Sequence, residues 1–569
     1  MARPMLGHDP TVADRPNTAL RSQRSRSGEP LSTLSAVSKP SEEPSVPEPS
    51  AEPPSPAVDA CTGIDADDLA VALRVLRSIH ELDGSHPDFV AVRRATSRMF
   101  KAVKHHRRGI KRAEIQDNDK AVVAATATGA SDRIDDETRG LALTSGVQAP
   151  SAGTLMRARP CYICKEKYTL VDAFYHQLCP ACAAMSHAKR GARTDLLGKR
   201  ALLTGGRAKI GMHIALRLLR DGAHTTITTR FPRDAVRRFA AMPDAAQWLH
   251  RLQVVGIDLR DPSQVVALAD AVAARGPLDI LINNAAQTVR RSAGSYAPLV
   301  DAESVPIADG LWPEGRGPEL LTFGHTRDLH PHALAESVKA HPLLAAADAA
   351  VTGSAAALAD ADAAARSAQH LTDMALAPGS SSLARLADGS AIDAGGLLPD
   401  LHHSNSWVQG VGEVDALEML EVQLCNETAP FILISRLRPR LAEAARSVTS
   451  GPARAYVVNV SAMEGVFGRG YKGPGHPHTN MAKAAVNMLT RTSARELYET
   501  DGILMTSVDT GWITDERPHP TKVRLAEEGF HAPLDLVDGA ARVYDPIVRG
   551  QAGEDLFGVF LKDYARSGW

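Results

Sequence analysis

One stretch constrains the fold of this chain more than any other. From Gly198, GKRALLTGGRAKIGMHIALRLLRDGAHTTITTRFPRD passes from a short apolar run through a glycine-punctuated turn into an amphipathic helix and a second β-rich run. That order predicts a strand, a turn, a helix and a second strand in one βαβ unit. The turn Thr204-Gly205-Gly206-Arg207-Ala208-Lys209-Ile210-Gly211 would then aim backbone N–H groups and a helix N-terminus at an anionic group.

The unit accounts for little of the chain's 569 residues, about four times a ~150-residue domain, so several parts are expected. Sixty-four Lys and Arg against 66 Asp and Glu leave a net charge of −2, which excludes a surface wholly devoted to nucleic acid or membrane and makes any such role local. With 44% apolar residues but only 4% aromatics, the composition points to helix-rich layers packed with small side chains. Six cysteines are too sparse for a disulfide-stapled secreted domain, and four are paired at metal-ligand spacing, which predicts a reducing, cytoplasmic setting. No run of ~18 apolar residues and no apolar stretch of signal-peptide length occurs, so neither a membrane span nor secretion is expected.

Residues 1–60 hold eleven of the 36 prolines among Ser and Glu and predict a disordered tail. Residues 61–155 predict two helices, through DDLAVALRVLRSIHEL and FVAVRRATSRMFKAVKHHRRGIKR, followed from residue 113 by a loose linker. In the second helix Val92, Met99, Val103 and Ile110 fall near one stripe, while Ala91 to Arg112 carries nine Lys and Arg and no acid. That basic helix, 91–112, reads either as a nucleic-acid or protein contact or as a solvated face. Residues 156–195 contain Cys161-Tyr-Ile-Cys164, fourteen residues, and Cys179-Pro-Ala-Cys182. Two such pairs can wrap one tetrahedral zinc with four thiolates and no open position, a structural site, in preference to a pair of redox dithiols. His176 and His187 are spare ligands, and Cys61 and Cys425 read as small apolar residues.

Residues 196–569 follow with a strand ending at Asp258 and another, LDILINNAAQT, ending at Asn283, Asn284, Ala285 and Ala286. With the glycine turn these are the marks of a Rossmann core. In combination they resemble the short-chain dehydrogenase/reductase family over about residues 196–290 and 415–569. The resemblance implies an α/β fold with a doubly wound parallel sheet, a nicotinamide cofactor, a small-molecule substrate and a dimer or tetramer. It implies that Thr204, Gly205, Arg207, Lys209, Ile210 and Gly211 form the cofactor turn, that Asp258 touches the adenine and that Asn283, Asn284 and Ala285 close over the cofactor. Gly511 and Ile513 would lie over the nicotinamide, with a backbone contact from Ile513 to the carboxamide. Arg230 ends the second strand where NAD-using relatives carry an acid, and with Arg207 and Arg233 nearby NADP(H) is favoured, NAD remaining possible.

Departures fall at the chemistry. Lys209 takes the middle glycine of the turn, adding a cation or hindering close approach. Of the family's Asn-Ser-Tyr-Lys tetrad, Asn426 and Lys483 are kept; Ala462 holds the serine position with Ser461 one place before it, and Thr479 holds the tyrosine position. A phenol beside an ammonium can be tuned toward neutrality, whereas an aliphatic hydroxyl cannot, so Thr479, or Asn480 after it, reads equally well as a cap for a helix opening at Met481. Tyr471, His476 and His478 are substitute proton donors. An insertion over about 288–414 is expected to form a lid or a substrate pocket, with Asp400, His402 and His403 in an ordinary polar loop.

These residues suggest an NADP(H)-dependent oxidoreductase acting on an unidentified carbonyl or alcohol with a non-standard proton donor. A rival reading is a catalytically impaired NADP(H)-sensing regulator that binds nucleic acid or protein; a third is an isomerase or dehydratase using the nicotinamide transiently.

Overall fold

The computed structural model describes residues 63–134, 143, 145, 147–308, 310–323, 362–377, 379–447 and 453–569. The expected tail at 1–60, Cys61 and the central Ala/Asp-rich part of the insertion lie outside them. Two compact units divide between Met99 and Phe100.

In the first unit the helix Ala66–Ser78 starts at Asp65, whose carboxylate accepts from the Asp67 and Asp68 N–H groups and so satisfies two orphan donors. The basic segment is helical within Pro87–Ala124, as the pattern predicts, and its stripe is largely solvent-facing, with Met99, Phe100, Val103 and Ile110 all exposed. The expected linker from 113 is a correction: the helix continues to Ala124, and Ser151–Pro160 is a strand, β1. No Gly or Pro interrupts residues 113–124, and a tertiary contact fixes them. The buried Asp119 carboxylate accepts the Met156 N–H at 2.7 Å, and Asn118 donates to the Thr154 carbonyl at 3.3 Å.

β1 pairs antiparallel with β2, Lys167–Asp172, and the helix Pro180–Arg190 follows. Beyond them lies a nine-stranded sheet. Its strands are β3 Arg200–Leu203, β4 His224–Thr229, β5 Leu252–Gly256, β6 Ile280–Asn283, β7 Glu319–Thr322, β8 Ala455–Ser461, β9 Ile503–Asp509, β10 Phe560–Lys562 and β11 Ala565–Ser567, in the order β11-β10-β9-β8-β6-β3-β4-β5-β7. All neighbours are parallel except the terminal β10–β11 hairpin. Parallel strands covered on both faces read as continuous apolar runs, and every residue of β8 and β9 is buried. Ile214, Leu218, Val543 and Ile547 pack on one face; Leu268, Leu437 and Leu497 pack on the other. The order reverses between β3 and β6, which opens a crevice at their C-terminal ends. β7 comes from the insertion and was not legible in it.

A third core cluster joins the cysteine module to this sheet domain, since Cys161, Val171, Tyr175 and Cys179 share it with Ile513, Leu534 and Leu536. Buried ion pairs reinforce the join: Arg190 meets Asp535 and Asp538, and the Tyr175 hydroxyl donates to Asp538 at 2.6 Å. Among the described residues no helix is long and apolar enough to cross a membrane.

Candidate active site

The glycine turn leaves β3 and enters the helix Lys209–Arg220. Thr204 Oγ1 accepts the Asn284 and Ala285 N–H groups, each at 3.0 Å, while Asn284 Nδ2 donates to the Thr204 and Gly205 carbonyls, so the ends of β3 and β6 lock each other. Gly205 has φ +70, and a Cβ there would stand 2.9 Å from Ala285 Cα. A Cβ at Gly211 would overlap the Gly205 carbonyl oxygen. Gly211→Ala is therefore expected to weaken dinucleotide binding at least ~10-fold and to cost about 1–3 kcal/mol of stability, read by calorimetry and thermal melting. Lys209 stands in the left-handed region at φ +52, a conformation costing about 1–2 kcal/mol without glycine. Its ammonium lies 3.5 Å from Asp393 of the insertion, so the cation stays in the site beside a carboxylate.

Of the three arginines expected near a 2′-phosphate, two are committed. Arg207 pairs with Asp234 at 2.5 Å and donates to the Gly395 carbonyl. Burial alone would raise the Asp234 carboxyl, but Arg238 and Arg207 hold it below its usual range. Arg233 donates to the backbone carbonyls of Glu303 and Ser304. Arg230 lies over the Phe231 and Tyr296 rings and reaches the Tyr296 hydroxyl at 3.4 Å, with no carboxylate at ion-pair distance among the described residues. Asp258 is buried beside this region with both carboxylate oxygens held by Arg260, which also reaches Glu421.

At the other end Asn426 sits in a π-helical turn, Leu424–Thr428, a distortion that helices often carry at functional sites. Its side chain closes on one residue, accepting the Gln287 N–H at 2.7 Å and donating to the Gln287 carbonyl at 2.9 Å. Asn283 donates to Asn459 at 2.8 Å. Lys483 Nζ donates to the Val460 carbonyl at 2.9 Å, and burial pulls its ammonium down to about 8 against the opposing attraction of Cys425 and Glu464. Ser461 and Thr479 are buried hydroxyls without a hydrogen-bond partner.

The capping reading of Thr479 is corrected. The helix opens at Pro477, not Met481, because proline at the first position needs no N–H acceptor; its N-cap is His476, in left-handed backbone. His476 stacks on Trp407 of the insertion at 4.0 Å and bonds its carbonyl, away from any donor role. His478 is buried outside the cleft with both ring nitrogens unpartnered, its pKa lowered by burial. Tyr471 is 77% exposed and does not line the cleft.

Gly205 and Arg207 to Gly211 of the glycine turn, with Arg230, Asp258, Ser461, Thr479, Lys483, Gly511 and Ile513, line one cleft of about 1710 Å³. Asn426 sits just behind it, and the insertion supplies part of the wall through Arg290, Arg291, Tyr296 and Trp407. Tyr162 and Lys165, from between and beside the first two cysteines, line it as well, a placement that no local pattern around them points to. Their cysteines converge: one ligand sulfur each from Cys161, Cys164, Cys179 and Cys182 falls within 4.8 Å of the others. The Cys179 N–H donates to Cys161 Sγ at 3.3 Å. Four thiols gathered at this range make a set that suits a tetrahedral thiophilic ion. The two spare histidines are not part of it, for His176 pairs with Thr128 and His187 with Asp172.

Residues 199–300 match the short chain dehydrogenase family model. The chain is 28% identical over 403 residues to an uncharacterized protein of Acanthamoeba polyphaga mimivirus, covering 68% of this chain and 71% of that protein. It is 40% identical over 94 residues to a protein of Streptomyces antibioticus called a probable oxidoreductase, a match covering 16% of this chain and 30% of that protein. Among solved structures, an NADPH-bound carbonyl reductase from chicken fatty liver aligns at 17% identity and a TM-score of 0.36, over 66% of this chain and all of the other. The glycine turn, the Asn283-Asn284-Ala285 strand end and the β3 and β6 ends that flank the crevice all fall inside the matched segment, so over residues 199–300 this chain resembles the short chain dehydrogenases.

Proposed function

We propose that the chain is an NADP(H)-dependent oxidoreductase that interconverts a carbonyl and an alcohol in the cleft, with a structural zinc in the cysteine cluster. The observation that carries this is the convergence of two unpartnered hydroxyls, Ser461 and Thr479, with a half-buried lysine on one cleft wall. Thr479 and Lys483 are four residues apart on one helix and share its face. Lys483 also bonds the residue preceding Ser461, which draws the three together.

When bound, NADPH supplies the hydride. The chain's own residues do the rest: Ser461 and Thr479 offer O–H donors to a carbonyl oxygen, and Lys483 holds a proton whose affinity lies near neutral pH, which a threonine hydroxyl does not. In this reading the lysine takes over the acid function that tyrosine serves in the family pattern, and Thr479 only orients. Asn426 keeps the Gln287 backbone in register at the cleft's edge. Arg230 has no carboxylate partner among the described residues where a ribose phosphate would lie, its guanidinium meeting only the Tyr296 hydroxyl and aromatic rings, which favours NADP(H) over NAD.

Arg230→Asp is expected to weaken NADPH about 10- to 100-fold, the range of a lost charge-assisted contact, and to change NADH by less than ~3-fold. Equal weakening of both in a fluorescence titration would contradict the assignment of Arg230 to the 2′-phosphate. Incubation of purified protein with NADPH and a panel of aldehydes and ketones tests the activity itself, absorbance loss with an active carbonyl being the expected result.

A further inference from the structure

The first cysteine knuckle reaches into the cleft. Tyr162 is half-buried there, and its hydroxyl accepts the Trp512 backbone N–H at 3.0 Å. Lys165 sits in left-handed backbone at φ +67 with its ammonium 5.3 Å from the Tyr162 ring centroid. The knuckle is tied at both ends, since the Lys165 N–H donates to the Cys161 carbonyl at 3.1 Å and the Tyr162 N–H to the Gln177 carbonyl at 2.8 Å. Trp512 is equally constrained. It follows Gly511, at φ +77, where a Cβ would come within 2.6 Å of Leu534, and precedes Ile513, which is buried in the same core cluster as Cys161 and Cys179. In the sheet order β9, which leads into this segment, and β4, which ends just before Arg230, lie on opposite sides of the β3–β6 reversal. Tyr162 therefore stands at the end of the cleft remote from Arg230.

We propose that the metal-bound Cys161–Lys165 knuckle is a wall of the dinucleotide cleft, with Tyr162 a positioning residue that orders Gly511–Ile513 for the nicotinamide half of the cofactor, so that metal occupancy sets cofactor affinity. This rests on the dinucleotide reading above. Four thiolates on one ion fix the knuckle and hold the Tyr162 oxygen where the Trp512 N–H finds it; without the ion, Cys164, on the exposed edge, no longer restrains Lys165. The segment beyond β9 then has to be ordered by the ligand, which lowers apparent affinity.

The test uses the full chain with its metal content measured, titrated calorimetrically with NADPH and with adenosine 2′,5′-bisphosphate, which probes the Arg230 end alone. Tyr162→Phe is expected to keep its metal, to bind NADPH about 5- to 10-fold more weakly and to bind the bisphosphate as the wild type does. Chelation is expected to weaken NADPH more than ~10-fold, reversed by added zinc. Wild-type NADPH affinity in Tyr162→Phe, or an equal loss for both probes, overturns the inference; if the chelated protein unfolds, Tyr162→Phe decides alone. A wild type that binds neither probe removes the dinucleotide reading itself and this inference with it, whereas a binding wild type with an indifferent Tyr162→Phe removes only the inference.

Discussion

Lys483→Ala is expected to lower kcat/KM for carbonyl reduction by about 100- to 10,000-fold, the span usual for a lost general acid, with the fold intact. The side chain lines the cleft, so its removal leaves a space open to water, and the Val460 carbonyl it bonds already belongs to the β8 ladder. The pH profile gives the sharper signature. Burial brings the ammonium to about 8, so the acid form dominates below that value and kcat/KM for reduction falls as pH rises through it; alcohol oxidation, which needs the neutral amine, rises over the same interval. Lys483→Arg carries a charge that does not titrate in this range and should lose that limb. Should the wild type bind NADPH tightly yet turn over no carbonyl, and Lys483→Ala bind it equally, the sensor reading replaces the enzyme.

The second large effect belongs to the cysteine cluster. Wild-type protein is expected to carry about one zinc per chain, and Cys161→Ser combined with Cys179→Ser none, with Tm lower by about 10 °C or more. Both cysteines are buried in a core cluster shared with Ile513, Leu534 and Leu536, so losing the ion loosens the sheet domain as well as the module. Structural zinc contributes about 10 kcal/mol, and each kcal/mol moves Tm by about 1 °C in a unit the size of Phe100–Trp569. Metal analysis of the wild type that finds no zinc would leave a dithiol pair instead.

The glycine turn, the βαβ unit and the cysteine spacing were readable because each depends on local chemistry: Gly205 and Gly211 stand where a side chain would collide, and two Cys-x-x-Cys knuckles need only two tight turns. What the sequence hid was tertiary. Nothing local says that residues 113–124 continue a helix, since the buried Asp119 is satisfied by Met156, far along the chain. Tyr162 reads as an ordinary residue between two ligands until the fold carries it to Trp512. Arg233 and Arg230 look alike in the sequence, and only the carbonyls of Glu303 and Ser304 distinguish the occupied guanidinium from the one facing the cleft. His478 is as buried as Ser461 and Thr479, and only the fold shows that they line the cleft and it does not.

Calorimetric titration of the full-length wild type with NADPH bears most directly on the central claim. The account predicts saturable binding at one site per chain, competed by NADP and weaker for NADH. Absence of saturable binding by both NADPH and NADH to folded, metal-loaded protein would contradict it.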